Sequence, residues 1–396
     1  MSTSDPIVIV GMARTPIGGF QGVLKDVSGP ELGSSAIRAA LERSGVPAED
    51  IDEVLMGCVL PAGMGQAPAR QASLGAGIPD ATGCTTVNKM CGSGMKTTML
   101  AHDLLKAGTN EVMVAGGLES MSNAPYILPK ARSGQRLGHG QMLDHMFLDG
   151  LEDAFDKGKL MGVFAERTAK KYGFSRESQD EFAIRSLTRA KKAIEDGSFD
   201  AEVTPVTYKN RQGEVTVEQD EQPLTANLEK IPKLRPAFDK DGTVTAANSS
   251  SISDGAAALV MMRESTAKKR GLKPIARFLG HSSFAQEPAW FTTAPVSAIR
   301  KLLETVGWKA DDVDLYEINE AFAVVTMAAM KDLDLPAEKV NVHGGACALG
   351  HPVGASGTRI LVTLISALQK YGKTRGVASL CIGGGEATAM AVEVMS

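Results

Sequence analysis

The first stretch with the means to do chemistry is Val87-Asn88-Lys89-Met90-Cys91-Gly92-Ser93-Gly94-Met95-Lys96, a cysteine followed by two closely spaced glycines. Met95, Met99, Leu100 and Leu104 open an apolar-periodic run, so the stretch reads as a strand, a tight loop and a helix start with Cys91 at the helix N-terminus. Unpaired backbone N–H groups and the positive end of the helix dipole favour a thiolate there, which makes Cys91 a candidate nucleophile. Taken alone, a cysteine between Met and Gly reads first as a small buried hydrophobe, so partners elsewhere in the chain must decide.

Three later stretches offer such partners. The run 343–357 is glycine-rich, contains His351 and lies just before a helical pattern at 358–369. His343, Cys347 and His351 recur every four residues, which on a helix would align three metal ligands. Gly344, Gly345, Gly350 and Pro352 oppose a continuous helix, so a loop and no metal are expected. Cys381 ends an apolar strand ahead of Gly383-Gly384-Gly385. Because 387–394 reads as a closing strand, that glycine run is expected to be a hairpin-like turn whose N–H groups approach a ligand, and not a phosphate loop feeding a helix. Asn319 follows the strand-like Tyr316-Glu317-Ile318.

The elements that must position these groups follow an α/β alternation. Pro6-Ile7-Val8-Ile9-Val10-Gly11 is a buried strand, 31–44 a helix closed by Gly45, 54–59 a second strand and 111–117 a third, after the helix that Cys91 opens. Strand, helix, strand, helix, strand points to a layered α/β domain. A second copy lies downstream: 41–52 (LERSGVPAEDID) aligns without a gap on 303–314 (LETVGWKADDVD). Ser93-Gly94 has a counterpart in Ser356-Gly357, and Val114-Ala115-Gly116-Gly117 in Cys381-Ile382-Gly383-Gly384. The chain is internally duplicated. If the halves pack about a pseudo-twofold axis, the Cys91 loop and the His351 loop face each other.

Between the copies, 122–140 is rich in Pro, Gly, Arg and Ser and loop-like. The run 176–196 is an amphipathic helix with Phe182, Ala183, Leu187, Ala190 and Ile194 on one face, read as a solvated lid or packing helix without chemistry. The run 203–217 reads as a strand pair turning at 210–213, and small residues from Ala246 lead into a strand at Leu259-Val260-Met261-Met262.

Composition limits the function classes. The chain has 396 residues, long enough for two or three domains, with 43% hydrophobic and 22% charged residues. A net charge of -4 gives no basic footprint for nucleic acid. No apolar run is long enough for a membrane-spanning helix, and the N-terminus lacks a signal-peptide pattern, so a cytoplasmic protein is expected. Five cysteines without a CxxC pair argue against a disulfide framework.

Together these stretches resemble the thiolase family. The match rests on Asn88-Lys89-Met90-Cys91-Gly92-Ser93-Gly94, Asn319-Glu320-Ala321-Phe322, the run from Gly344-Gly345-Ala346 through Gly350-His351-Pro352 to Gly354-Ala355-Ser356-Gly357, and Cys381-Ile382-Gly383-Gly384-Gly385, in the family's order. The resemblance covers essentially the whole chain. It implies a duplicated, layered αβαβα fold with an inserted loop domain. The expected boundaries are 1–120 plus 249–272 for the N-terminal half, 121–248 for the insert, with oligomer contacts and CoA binding, and 273–396 for the C-terminal half.

By the same resemblance, Cys91 would attack an acyl-CoA thioester and hold the acyl group. His351 would take the thiol proton and Cys381 would remove an α-proton from a second acetyl-CoA. Asn319 would hold a water in one oxyanion hole beside His351, and the N–H groups of Cys91 and of the turn beginning at Gly383 would form the other. Leu160, Met161, Phe238, Ala246, Ser250, Ala321 and Phe322 would line the pantetheine and acyl channel. Leu160 stands where the biosynthetic pattern carries a histidine, and Gln222-Pro223-Leu224 lacks the basic residue often found near the CoA phosphates. The implied reaction joins two acetyl-CoA into acetoacetyl-CoA and CoA, with no cofactor beyond the CoA thioesters. A homotetramer is implied. Cleavage of longer 3-ketoacyl-CoA chains, and acyl-CoA binding without catalysis, are the alternatives.

Overall fold

The computed structural model describes residues 5–211 and 213–395. Strand β1 (Ile7–Arg14) is buried along its whole length. Val8 and Val10 enter one apolar core while Ile7 and Ile9 enter another, as the two-residue period of a strand requires. Helix α1 (Gly29–Ser44) begins at a capping box between Ser28 and Glu31 and stops at Gly45, whose φ of 68° is left-handed. Then come β2 (Glu53–Gly57), α2 (Pro68–Gly75), β3 (Gly83–Val87), α3 (Ser93–Ala107) and β4 (Val112–Ser120). Helix α2 is an addition to the order read from the sequence, because its buried set of Pro68, Ala69, Ala72 and Ser73 is too brief to declare a period.

The middle of the chain supplies α4 (Met161–Tyr172), α5 (Arg176–Glu195) and the hairpin of β5 (Val206–Asn210) and β6 (Gly213–Val217). Residues 122–140 are irregular, as expected, apart from a two-residue ladder in which Tyr126–Ile127 pairs with Leu143–Asp144. This middle region is tied into the main body by a buried charge cluster. Arg14 at the end of β1 donates to Asp220 at 2.7 and 2.9 Å and also pairs with Glu202, all three residues being at most 1% exposed. Two carboxylates on one guanidinium offset the cost of burying its charge.

Strand β7 (Ser253–Arg263) then returns to the first half, where it lies between β1 and β4. The second half follows as β8 (Ala276–Ala285), α6 (Ala294–Val306), β9 (Leu315–Ile318), α7 (Ala323–Asp332), α8 (Ser356–Lys370), β10 (Arg375–Ile382) and β11 (Glu386–Val394).

The strands run β9-β10-β11-β8-β1-β7-β4-β2-β3, and the two-residue Gly18–Gly19 beside β7 completes a ten-stranded sheet. Outward from the β8–β1 seam, the order β1-β7-β4-β2 is repeated as β8-β11-β10-β9. The pairings repeat too: β4–β2 and β10–β9 are parallel, while β1–β7, β7–β4, β8–β11 and β11–β10 are antiparallel. Among the described residues, the Gly18–Gly19 strand has no counterpart and β3 only a partial one, a single bridge between Tyr316 and Val340.

Three cores separate the layers. One lies between α1 and the first half of the sheet, one between the two halves around α3 and α8, and one beneath α6. The order helix, sheet, helix, sheet, helix is the expected αβαβα arrangement. The residues of the sequence repeat have a structural reason. Gly45 and Gly307 both cap their helices in the left-handed region, at φ of 68° and 71°. Asp52 accepts the N–H groups of Glu111 and Val112 where β4 starts, and Asp314 accepts those of Thr374 and Arg375 where β10 starts, all at 2.7–3.0 Å.

The two central helices meet at their N-terminal ends, where Thr358 Oγ1 donates to the Gly94 carbonyl at 2.8 Å. A Cβ on Gly94 would lie 2.8 Å from Thr358 Oγ1, and one on Gly357 would lie 2.3 Å from the Met95 nitrogen. Both positions demand glycine because backbone meets backbone. The loops that precede these helices are thereby brought together.

Candidate active site

Cys91 sits one residue ahead of Gly92, which caps α3. The loop carrying it is held by short-range bonds: Asn88 Oδ1 accepts from Met90 N at 2.9 Å, Ser93 Oγ accepts from Lys89 N at 2.9 Å, and Ser93 Oγ donates to the Met90 carbonyl at 2.6 Å. These bonds hold Met90 at φ 48°, a left-handed conformation that costs a non-glycine residue roughly 1 kcal/mol or more. Strain at the residue before Cys91 turns its side chain toward the second half. A Cβ on Gly92 would come within 2.4 Å of Ile382 Cδ1, so glycine here lets the Ile382 side chain pack against the turn.

The backbone N–H groups of Gly383 and of Cys91 itself lie close enough to the Cys91 sulfur to favour its anion. Burial nonetheless dominates and pushes the thiol up to about 11, with Glu119 adding to the rise and the two N–H groups opposing it. The sequence expectation of a thiolate favoured by the helix N-terminus is therefore corrected. Desolvation outweighs the dipole, and the resting sulfur is protonated at neutral pH.

His351 is buried, its backbone N–H donating to Ser251 O at 3.1 Å and to Ser253 Oγ at 3.2 Å. Its tautomer follows from its neighbour. Ser356 Oγ spends its one hydrogen on the Pro352 carbonyl at 2.9 Å, so it accepts from His351 Nδ1–H at 2.6 Å. Nε2 is left with its lone pair free, buried and without a protein partner. Burial, then the charge of Arg359, drives the imidazole pKa down to about 3, so the ring is neutral. The His351 loop reaches the Cys91 loop, since Val353, Met90 and Cys91 share one apolar cluster.

Asn319 is buried beyond the end of β9, its N–H donating to Ser379 O at 3.0 Å and its Oδ1 accepting from Arg359 at 3.4 Å. With Oδ1 so occupied, Nδ2 is a buried donor without a partner. His351 Nε2 thus offers an acceptor and Asn319 Nδ2 a donor that no protein group uses.

Cys381 lies near the end of β10, fully buried among Met161, Phe164, Phe238, Phe291, Ala321 and Phe322. Burial first, then Cys91, raises its thiol well above the ordinary value. The coupling to Cys91 places the two sulfurs within electrostatic reach. Beyond it, Gly384 and Gly385 turn at φ of 94° and 92° into β11. Lys89 before Cys91 pairs with Glu386 after that turn, a second tie between the halves.

The other expected residues divide into two groups. Met161, Phe238, Ala321 and Phe322 surround Cys381, and the Phe238 and Phe322 rings meet edge to face with centroids 6.0 Å apart. Leu160 caps α4 next to them, and Ser250 donates its N–H to Ala321 O at 2.9 Å. Ala246 lies apart from this cluster and lines a cavity of about 240 Å³ with Gln222, Lys230, Leu234 and Cys347. The rejected metal reading of His343, Cys347 and His351 finds no support, because their ligand atoms do not converge. His343 packs against Phe199 and Tyr371, and Cys347 Sγ approaches Glu320 O at 3.7 Å. The expected loop around them contains one helical turn, Ala346–Leu349.

Two buried acids escaped the sequence reading. Glu119 accepts the N–H groups of Val59 at 2.9 Å, Leu60 at 3.1 Å and Gly354 at 2.9 Å, which clamps the His351 loop onto the first half. Glu320 accepts from Ser186 Oγ, Asn341 Nδ2 and Cys347 N at 2.7–3.1 Å. Helix α5, read as carrying no chemistry, thus supplies Ser186 to the support of the Asn319 segment. The signal for Glu320 was its place beside Asn319; Glu119 gave none, because its partners are distant in sequence.

Comparison with known proteins agrees with this geometry. Residues 7–265 match the family model described as "Thiolase, N-terminal domain" and residues 272–394 that described as "Thiolase, C-terminal domain". The chain is 51% identical over 388 residues to the acetyl-CoA acetyltransferase of Escherichia coli, covering 98% of each chain. It is 48% identical over 389 residues to that of Cupriavidus necator, covering 98% of this chain and 99% of the relative. The crystal structure of the Bacillus anthracis acetyl-CoA acetyltransferase superposes with a TM-score of 0.97 at 44% identity, over 100% of both chains. With both family models matched, with full-length relatives at this identity, and with the two halves meeting at Cys91, the chain belongs to the thiolase family.

Proposed function

We propose that the protein joins two acetyl-CoA molecules into acetoacetyl-CoA and CoA, reversibly, through an acyl group held on Cys91. The observation that carries this reading is the approach of the Gly383 N–H, from the second half, to Cys91 of the first, with Val353 of the His351 loop in the same apolar cluster as Cys91. The relatives' names point the same way.

In the first step Cys91 Sγ forms a bond to the thioester carbon while its proton passes to His351 Nε2. The carbonyl oxygen gathers charge opposite the N–H groups of Cys91 and Gly383. Collapse breaks the bond to CoA sulfur, which takes the proton from His351 and leaves as CoA. Each such donor to a developing oxyanion is worth about 3 kcal/mol of barrier.

Acylation also keeps Cys91 uncharged, so that no neighbouring thiolate opposes ionisation of Cys381, whose thiol burial and Cys91 together hold up. Cys381, its own proton passed to His351 Nε2, then takes a proton from the α-carbon of a second acetyl-CoA. Asn319 Nδ2 supports the enolate oxygen through a water, with His351 beside it. The α-carbon bonds to the acyl carbon, the bond to Cys91 breaks, and the Cys91 sulfur takes the proton held on His351, leaving Cys381 as the thiol. As written, neither step calls for a cofactor besides the CoA thioesters.

The acyl end is expected to be short, because Phe238 and Phe322 close over Cys381 and a Cβ on Gly162 would strike the Phe238 ring at 2.3 Å. Pantetheine would extend past Ser250 toward the cavity at Ala246, and exposed Lys230 at that cavity supplies the cation that Gln222-Pro223-Leu224 lacks. Segments 1–120 plus 249–272, 121–248 and 273–396 act as two catalytic halves and an insert. The insert shows Leu137, Met142 and Phe155 at 98%, 65% and 73% exposure, an apolar surface suited to assembly into a homotetramer. No described helix is long and apolar enough to cross a membrane, which is compatible with the cytoplasm as its place of action.

Four outcomes test this reading. Because burial holds the Cys91 thiol near 11, its thiolate fraction grows with pH throughout the neutral range. Alkylation of Cys91 in the free enzyme, followed by peptide mass spectrometry, should therefore quicken about tenfold per pH unit from 7 to 9; a flat profile would mean a preformed thiolate. Cys381→Ala should still release one CoA per chain on acylation but lose about 10³-fold in condensation, and full turnover would remove Cys381 from the mechanism. Steady-state cleavage of 3-ketoacyl-CoA substrates of rising length should fall off beyond acetoacetyl-CoA, whereas a maximum at long chains would favour the degradative reading. Light scattering should weigh four chains per particle, and a stable monomer at micromolar concentration would refute the assembly.

A further inference from the structure

At the far end of α3 from Cys91, three side chains from both halves converge. His102 and Asp103 stand on α3 and His281 on β8. His102 Nδ1 and His281 Nε2 each lie 2.9 Å from the same oxygen, Asp103 Oδ1, and the three ligand atoms fall within 4.8 Å of one another. Among the described residues, no other three His, Cys, Asp or Glu side chains converge in this way.

We propose that His102, Asp103 and His281 form a binding site for one divalent transition-metal ion, coordinated by two imidazole nitrogens and one carboxylate oxygen. This departs from the metal-free expectation drawn from the sequence and is independent of the catalytic reading.

Two imidazoles and a carboxylate suit ions of borderline softness such as zinc, nickel and cobalt. Ligand atoms about 2.1 Å from a tetrahedral ion stand about 3.4 Å apart. The present 2.9 Å contacts need open only slightly to admit one. Each imidazole now donates to Asp103, so on binding each ring carries its proton on its other nitrogen instead.

The rings are already oriented. His102 is 7% exposed and meets Phe278 and His281 edge to face, at centroid distances of 6.2 and 5.2 Å. Asp103 is the solvent-facing ligand, its side chain 55% exposed. A cavity of about 270 Å³ is lined by His102 next to the site. Two cations also line it. Arg277 is neutralised by Glu393, Lys106 opposes the ion, and Asp5 in the same lining offsets it. Bound there, the ion cross-links the central helix of the first half to a strand of the second.

The test is calorimetric titration of the full chain, without an affinity tag and stripped by chelator, with nickel chloride. One equivalent per chain is expected. It should weaken at least about tenfold in His281→Ala and persist in Cys91→Ser, which separates this site from the reactive thiol. Should His281→Ala fail to fold, Asp103→Asn at the exposed ligand carries the same expectation. Absence of saturable binding overturns the proposal, as does binding that survives both site variants or disappears in Cys91→Ser.

Discussion

The contact between the starts of α3 and α8 is the constraint on which the site depends. Gly94 and Gly357 let two helix backbones touch, and Thr358 Oγ1 bonds directly to the Gly94 carbonyl. Neither helix can shift without displacing the loop in front of it, and those loops carry Cys91 and His351. Close backbone contact transmits position more rigidly than side-chain packing, because it has no rotamers to relax into. Lys89 with Glu386, and Glu119 with the Gly354 N–H, repeat the same tie on either side. The site is therefore a property of the interface between the halves.

Burial within that interface keeps the resting charges off the reacting atoms. It raises both thiols and lowers the imidazole, so Cys91, Cys381 and His351 all favour their neutral forms. An exposed thiolate at this place would be open to oxidation and alkylation. A neutral set releases charge only once a thioester supplies an acceptor for it, and the fixed N–H groups of Cys91 and Gly383 are already aimed where that charge forms.

Much of this was legible in the residues. The α/β alternation, the duplication and the four motif stretches came from local patterns: apolar period, capping glycine, and the Asp that clamps the start of a strand. Because Gly45 and Gly307, or Asp52 and Asp314, do the same local work in each half, selection for one geometry leaves the same letters behind. The protonation of Cys91 was misread, because helix position can be seen in a sequence while desolvation cannot. Glu119 was missed for a related reason: its partners Val59, Leu60 and Gly354 gather only after both halves fold. Short α2 fell below the length at which periodicity separates helix from loop.

Duplication alone would place like opposite like, yet the reaction needs unlike groups. The offset that aligns Asp52 with Asp314 also aligns Gly57 with Asn319, since 57 plus 262 is 319. In the first half the absent side chain is essential, because a Cβ on Gly57 would lie 2.7 Å from both Gly354 O and Gly94 N. The second-half loop occupies that gap. At the mirrored position the gap is filled from within by Asn319, whose Nδ2 stays free of protein partners. One half thus gives up a side chain so that the other half's loop can enter, and the other half uses the matching place to present a donor. The departure from symmetry at this pair turns two equivalent folds into one site with a nucleophile on one side and its supporting groups on the other.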